Sequence, residues 1–172
     1  MSSPLMWDVF LSSQIPVVTS ELPPGVSEMK WSPISSKLIS GERDAVLVDT
    51  FITMEQNRAL ADWIAASGKN LTAIYATHGH GDHFFGVNMI QLRFPNARFV
   101  ASRDVISVMR GQLSPPVLEA FWKSRLHCNR FQTDPPAGRC HGRDPQRLEC
   151  NQGTDARTTE GCPRLRSMRS KG

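Results

Sequence analysis

An α/β fold is predicted for this chain by three observations. Two short, mostly apolar runs, residues 44–50 (DAVLVDT) and Leu71 to Tyr75, have the length and composition of buried strands. Longer segments between and after them repeat apolar residues three and four positions apart, as helices packed on a sheet do. Gly and Pro clusters separate the two kinds of segment, so the order reads β-β-α-β-α-β-α.

Residues 1–34 contain Pro4, Pro16, the Pro23-Pro24-Gly25 breaker and Pro33, which predicts an extended entry segment with strand-like pieces such as Gln14 to Thr19. Its Trp7 and Trp31 are expected to pack on the core or to line the edge of a cleft. Residues 35–40 and 44–50, separated by Gly41-Glu42-Arg43, read as a β-hairpin. A helix over about residues 54–67 follows, with Leu60, Trp63 and Ile64 on one face and Gly68 as its stop. The strand Leu71 to Tyr75 delivers Thr77 and a histidine-rich loop at its carboxyl end, where open α/β sheets bind ligands. Residues 84–94 then read as helix ending at Pro95, Ala97 to Ala101 as strand, and 103–111 as helix. A last helix, about 116–126, starts after Pro115-Pro116 and carries Val117, Leu118, Phe121 and Trp122 as its apolar face.

Beyond Leu126 the composition changes. Residues 127–172 hold no Val, Ile, Trp or Tyr, and ten of these 46 residues are apolar even with cysteine counted. Such a segment buries too little to offset about 1–2 kcal/mol of backbone entropy per residue, so disorder is expected. The domain reading is therefore an extended segment 1–34, a folded unit 35–126 and a low-complexity basic tail 127–172. A genuine interaction tail and a shifted reading frame or unspliced intron both account for the break.

The formal net charge of +4 belongs to that tail: residues 1–126 balance 11 Lys and Arg against 11 Asp and Glu, whereas residues 127–172 set 9 against 5. The basic pI thus gives no reason to expect nucleic-acid binding by the folded part. All four cysteines (Cys128, Cys140, Cys150, Cys162) lie in the tail and form no CxxC pair, which argues for reduced thiols over a zinc knuckle. The N-terminus lacks the basic start of a signal peptide, and no run reaches the eighteen or so apolar residues of a membrane span. A soluble, cytoplasmic protein without membrane contacts is expected.

The chemistry is concentrated in His78-Gly79-His80-Gly81-Asp82-His83. Three of the five histidines fall within six residues, and up to residue 126 there are no others, so the cluster is not a by-product of composition. Residues two apart on an extended backbone project to one side, so His78 and His80 can converge on an ion, with Asp82 and His83 reaching a neighbouring position. Gly79 and Gly81 are expected to supply the backbone freedom that so tight a loop needs. The competing reading is a solvated loop whose Asp82 caps a helix starting at Phe84; capping and metal binding are compatible.

THGHGDH at residues 77–83, the strand before it and the upstream AVLVDT ending at Asp49 and Thr50 resemble the metallo-β-lactamase superfamily of metal-dependent hydrolases. The resemblance covers roughly residues 35–112. It implies the first half of an αββα sandwich, truncated before the second half, with His78 and His80 on a first metal and Asp82 and His83 on a second. It also implies that Asp49 orients the loop by hydrogen bonding, against the plain alternative of an aspartate opening a turn. Asp82 is the candidate catalytic residue, orienting a nucleophile or relaying a proton. The cofactor implied is zinc, two ions in a complete relative, with iron or manganese compatible with the same ligands.

Metal-activated hydroxide suits a lactam, lactone or thioester carbonyl, so the implied partner is a small-molecule substrate, in xenobiotic degradation or secondary metabolism. The family's further ligands, a glycine-histidine step among them, have no match in this chain, since His127 and His141 lie in other surroundings. Two alternatives stand beside the hydrolase: a catalytically inactive remnant that still binds metal, and a binding protein acting through its tail. Without a second half-sandwich, Val46, Val48, Ile74 and Val100 are expected to be partly exposed and to favour self-association through the sheet face.

Overall fold

The computed structural model describes residues 4–126. The expectations for the 127–172 tail, its cysteines included, lie outside the described residues. Five strands form the main sheet in the order β1-β4-β5-β6-β7: β1 (Met6–Leu11), β4 (Ser35–Ser40), β5 (Asp44–Val48), β6 (Asn70–Tyr75) and β7 (Arg98–Val100). Strands β2 (Ile15–Val17) and β3 (Met29–Trp31) pair separately. Within the main sheet β1, β4 and β5 are antiparallel, and β5, β6 and β7 are parallel. The predicted hairpin is β4–β5, closed by the Gly41 N–H donating to the Asp44 carbonyl at 2.9 Å.

Two crossovers build the parallel part. The first is α1 (Met54–Ala66) between β5 and β6; the second comprises α2 (Gly81–Phe84) and α3 (Val87–Arg93) between β6 and β7. Helix α1 starts where Thr53 accepts from the Gln56 N–H at 3.2 Å while Gln56 Oε1 accepts from the Thr53 N–H at 3.1 Å, a reciprocal capping box. Its Leu60 and Ile64 are fully buried with Leu47, Ile74 and Ile90, which places the core between the sheet and its helices. Trp63 is only partly buried, its ring 5.3 Å from Phe10. After β7 come α4 (Arg103–Gln112), the single turn α5 (Pro115–Val117) and a π-helical segment, Leu118–Lys123.

Several expectations are corrected. The helix foreseen over 84–94 is two short helices broken near Gly86, and the first begins at Gly81 and not at Phe84. Asp82 consequently sits inside the first turn of α2, where its charge favours the helix N-terminus, and does not cap it. The foreseen 116–126 helix is largely π-helical. Strand β1, inside the segment read as an extended entry, joins the sheet beside β4, with Trp7 facing Ile39 and Val9 facing Lys37 in register. Trp7 is 70% exposed and so does not pack on the core. Ile74 is fully buried, contrary to expectation, because it points to the helix-covered side of the sheet; Val46 and Val48 are half-buried and Val100 is exposed.

Candidate metal centre

The metal loop lies at the carboxyl ends of β5 and β6, and its position is set by residues that carry no metal-ligand signature of their own. Parallel pairing continues past the strands, with the Asp49 N–H donating to the Tyr75 carbonyl at 2.8 Å. Asp49 is buried and its φ of 64° lies in the left-handed region, which aspartate tolerates better than most residues. That backbone turn aims the carboxylate across to β6. Oδ1 accepts from the Thr77 N–H at 2.8 Å, and the Thr77 hydroxyl lies 3.0 and 2.8 Å from Oδ1 and Oδ2. Oδ2 also lies 3.1 Å from His83 Nδ1. The strand-end aspartate therefore orients the loop, and the reading as a simple turn opener does not describe it.

Thr50 fixes the other end of the loop. Its N–H and its hydroxyl both donate to the His83 carbonyl, at 2.8 and 3.1 Å, and its hydroxyl accepts from the Gly86 N–H at 3.2 Å. Thr50 is fully buried, so these bonds are made away from competing water. Reasoning from sequence missed Thr50 and Thr77 as positioning residues. The only signal available was their adjacency to Asp49 and to the histidine run.

Neither Gly79 nor Gly81 has a positive φ. Their smallness serves packing instead. A Cβ on Gly79 would fall 2.6 Å from Val108 Cβ and 2.7 Å from the Val105 carbonyl of α4, and one on Gly81 would fall 2.3 Å from the Phe85 ring. The loop is thus pressed against its neighbours, which holds its histidines in place.

His78, Asp82 and His83 are brought together: one potential ligand atom from each lies within 4.8 Å of the others. All three are half-buried. The His78 and His83 rings are 3.8 Å apart, and His83 Nε2 lies 3.7 Å from Asp82 Oδ2. His80 is exposed, its ring 5.0 Å from that of His78, and it falls outside the three-residue group. Two imidazoles and one carboxylate are a donor set that fits a borderline divalent ion and leaves a coordination position open, so the residues present fit a metal.

The electrostatics agree with such a role. Burial pushes the His78 imidazole below its ordinary pKa, the neighbouring His83 and His80 push the same way, and Asp49 and Asp82 oppose them. A neutral His78 is the form that donates a lone pair. For Asp49, burial alone would raise the carboxyl, but the contact with His83 and the hydrogen bonds from the Thr77 N–H and hydroxyl outweigh it, so the pKa is lowered.

Beside the loop, on the His80 side, opens a cleft of about 620 Å³ walled by Trp31, Val117, Phe121 and Trp122, with His80 and Gln112 in its lining. The Trp122 indole N–H donates to Gln112 Oε1 at 2.9 Å. Trp31 thus lines a cleft, as one of its two expected placements had it.

Among known proteins, the sequence profile of the Metallo-beta-lactamase superfamily matches residues 29–146. No curated protein matches the chain. Among solved structures, the metallo-beta-lactamase SMB-1 in a complex with mercaptoacetic acid is 29% identical over 48% of this chain and 32% of that one, with a TM-score of 0.41. BJP-1, a subclass B3 metallo-beta-lactamase of Bradyrhizobium japonicum, is 29% identical over 41% of this chain and 28% of its own, with a TM-score of 0.36. MEM-A1, a subclass B3 enzyme isolated from a soil metagenome library, is 23% identical over 63% and 39%, with a TM-score of 0.44. The chain spans about a third of the length of the first of these structures.

Proposed function

Because the chain belongs to the metallo-beta-lactamase superfamily, we propose that it is a metal-dependent hydrolase acting on the carbonyl of a lactam, lactone or thioester, with zinc as its metal. The observation that carries this reading is the convergence of His78, Asp82 and His83 on one point at the carboxyl ends of two parallel strands. When bound, the metal would supply Lewis acidity, which makes hydroxide available near neutral pH. His78 and His83 would hold the ion through their imidazole nitrogens. Asp82 would complete the set and orient the nucleophile or relay a proton as the leaving group departs. Asp49 and Thr50 touch no reacting atom; they keep the loop in place.

The test has two parts. Elemental analysis after dialysis should find zinc in the full chain and in a variant lacking residues 127–172, and should find it lost in His78→Ala, which removes the ligand common to the observed trio and to the His78–His80 pair. Purified protein with added zinc should then hydrolyse at least one of a chromogenic β-lactam, a γ-lactone and an acyl thioester, with His78→Ala inactive. Zinc kept by His78→Ala would move the metal elsewhere, and absence of turnover on all three substrates would sink the hydrolase reading.

A further inference from the structure

We propose that the cleft beside His80 seats an uncharged alkyl or aryl substituent of the substrate, so that this chain selects neutral, hydrophobic lactones or thioesters over anionic ones. The inference rests on the hydrolase reading above and adds the substrate class to it.

The cleft's size, about 620 Å³, is that of a small-molecule site. Its wall is aromatic and aliphatic, from Trp31, Val117, Phe121 and Trp122, with Ala120 leaving room on the helical side. The rings are set edge-on or tilted to one another: Trp31 to Trp122 at 5.5 Å, Trp31 to Phe121 at 6.4 Å and Phe121 to Trp122 at 5.1 Å. Among the described residues no Lys, Arg, Asp or Glu lines it. Arg125, the cation close by, is stacked over the Phe121 ring at 4.3 Å and is not part of the lining. Of the polar groups in the wall, the Trp122 N–H and Gln112 Oε1 satisfy each other. An anionic substituent would therefore lose its hydration and meet no counter-charge, whereas an apolar one loses nothing by entering.

Position gives the cleft its use. His80 lines it and also stands 5.0 Å, ring to ring, from His78 of the metal trio. A substrate with its apolar group against Trp31 and Phe121 thus has its carbonyl end directed to the loop. Rigid aromatic walls hold such a group at little cost in side-chain entropy.

The experiment titrates the full chain, without added metal so that binding is read apart from turnover, with γ-dodecalactone while following tryptophan fluorescence. Saturable binding is expected. γ-Octalactone, shorter by four methylenes, should bind at least about tenfold more weakly, since each buried methylene is worth about fourfold. A γ-dodecalactone bearing a carboxylate at the far end of its chain should bind at least about tenfold more weakly than the lactone itself, because that carboxylate enters the apolar cleft. Ala120→Glu, a change at an exposed helical position, and Phe121→Ala, which removes part of the wall, should each weaken lactone binding at least about tenfold while leaving circular dichroism unchanged. No saturable response, equal binding of the lactone with the chain-end carboxylate, or unaltered binding by both variants would overturn the inference. Turnover of short lactones with no such dependence leaves the hydrolase reading standing without this one; cleft binding with no turnover of any ester does the reverse.

Discussion

Asp49 occupies a backbone conformation that few side-chain-bearing residues adopt, and it is kept there because its carboxylate is in use. Asparagine at this position keeps the shape and the tolerance of the left-handed region but removes the charge facing His83. Asp49→Asn should therefore fold yet lower zinc affinity by about 10–100-fold, the usual effect of removing a group that orients metal ligands. Competition with a chromogenic chelator measures this, and unchanged affinity would show that Thr50 and the glycine contacts suffice. The lowered pKa of Asp49 also has a consequence for the metal-free chain. A carboxylate with a depressed folded pKa contributes stability that is fully present above the unfolded value near 3.9 and is lost as pH falls from there through the folded value. Native protein should thus lose stability over that acid interval more steeply than Asp49→Asn, as denaturant titrations at pH 6 and pH 3 would detect.

At the scale of elements, the turn from β5 into α1 is held by several buried polar bonds. Asn57 Nδ2 donates to the Phe51 and Thr53 carbonyls, at 2.9 and 2.8 Å, and its Oδ1 accepts from the Phe51 N–H at 2.9 Å. Thr53→Ala, which removes a cap, should cost about 1 kcal/mol. Asn57→Ala should cost about 3 kcal/mol or more, because it strands several buried backbone groups at about 1–3 kcal/mol each. Chemical denaturation of both variants ranks them, and equal losses would contradict the argument. The elements with a strong local signal, the apolar runs of the β4–β5 hairpin and β6 bounded by breakers and the Leu60–Ile64 face of α1, were legible in the sequence. Strand β1 was not: Phe10 is its one residue that packs against the core, so its pattern carries no alternation. The break near Gly86 and the π-helical turn at Leu118–Lys123 were hidden as well. Both lie at tertiary contacts, the Gly86 N–H with the Thr50 hydroxyl and Trp122 with Trp31, which no local periodicity records. Of the centre itself, the four ligand candidates and Asp49 could be read directly, whereas the grouping of three with His80 turned towards the cleft could not.

Seen whole, the sheet has one face covered by helices and another that is not. On the open face Trp7, Val9 and Leu11 of β1 line up with Ile39 of β4, and Tyr75 and Val100 extend the apolar area across β6 and β7. Trp7 at 70% and Leu11 at 66% exposure make this more than scattered surface hydrophobes. The full chain should associate with itself in a concentration-dependent way, and Trp7→Lys with Leu11→Lys should shift sedimentation towards monomer without changing zinc content. No helix among the described residues is long and apolar enough to cross a membrane.

The bonds that Asp49 and Thr50 make to the loop form within the polypeptide and need no ion to complete them. The candidate metal site should in that sense be a product of folding and not its precondition, unlike small domains that collapse only around zinc. A chelator should accordingly strip the protein to a still-folded form, with melting displaced by a few degrees and not abolished. Zinc returned afterwards should be taken up at the pace of ligand exchange, without the delay of a chain refolding.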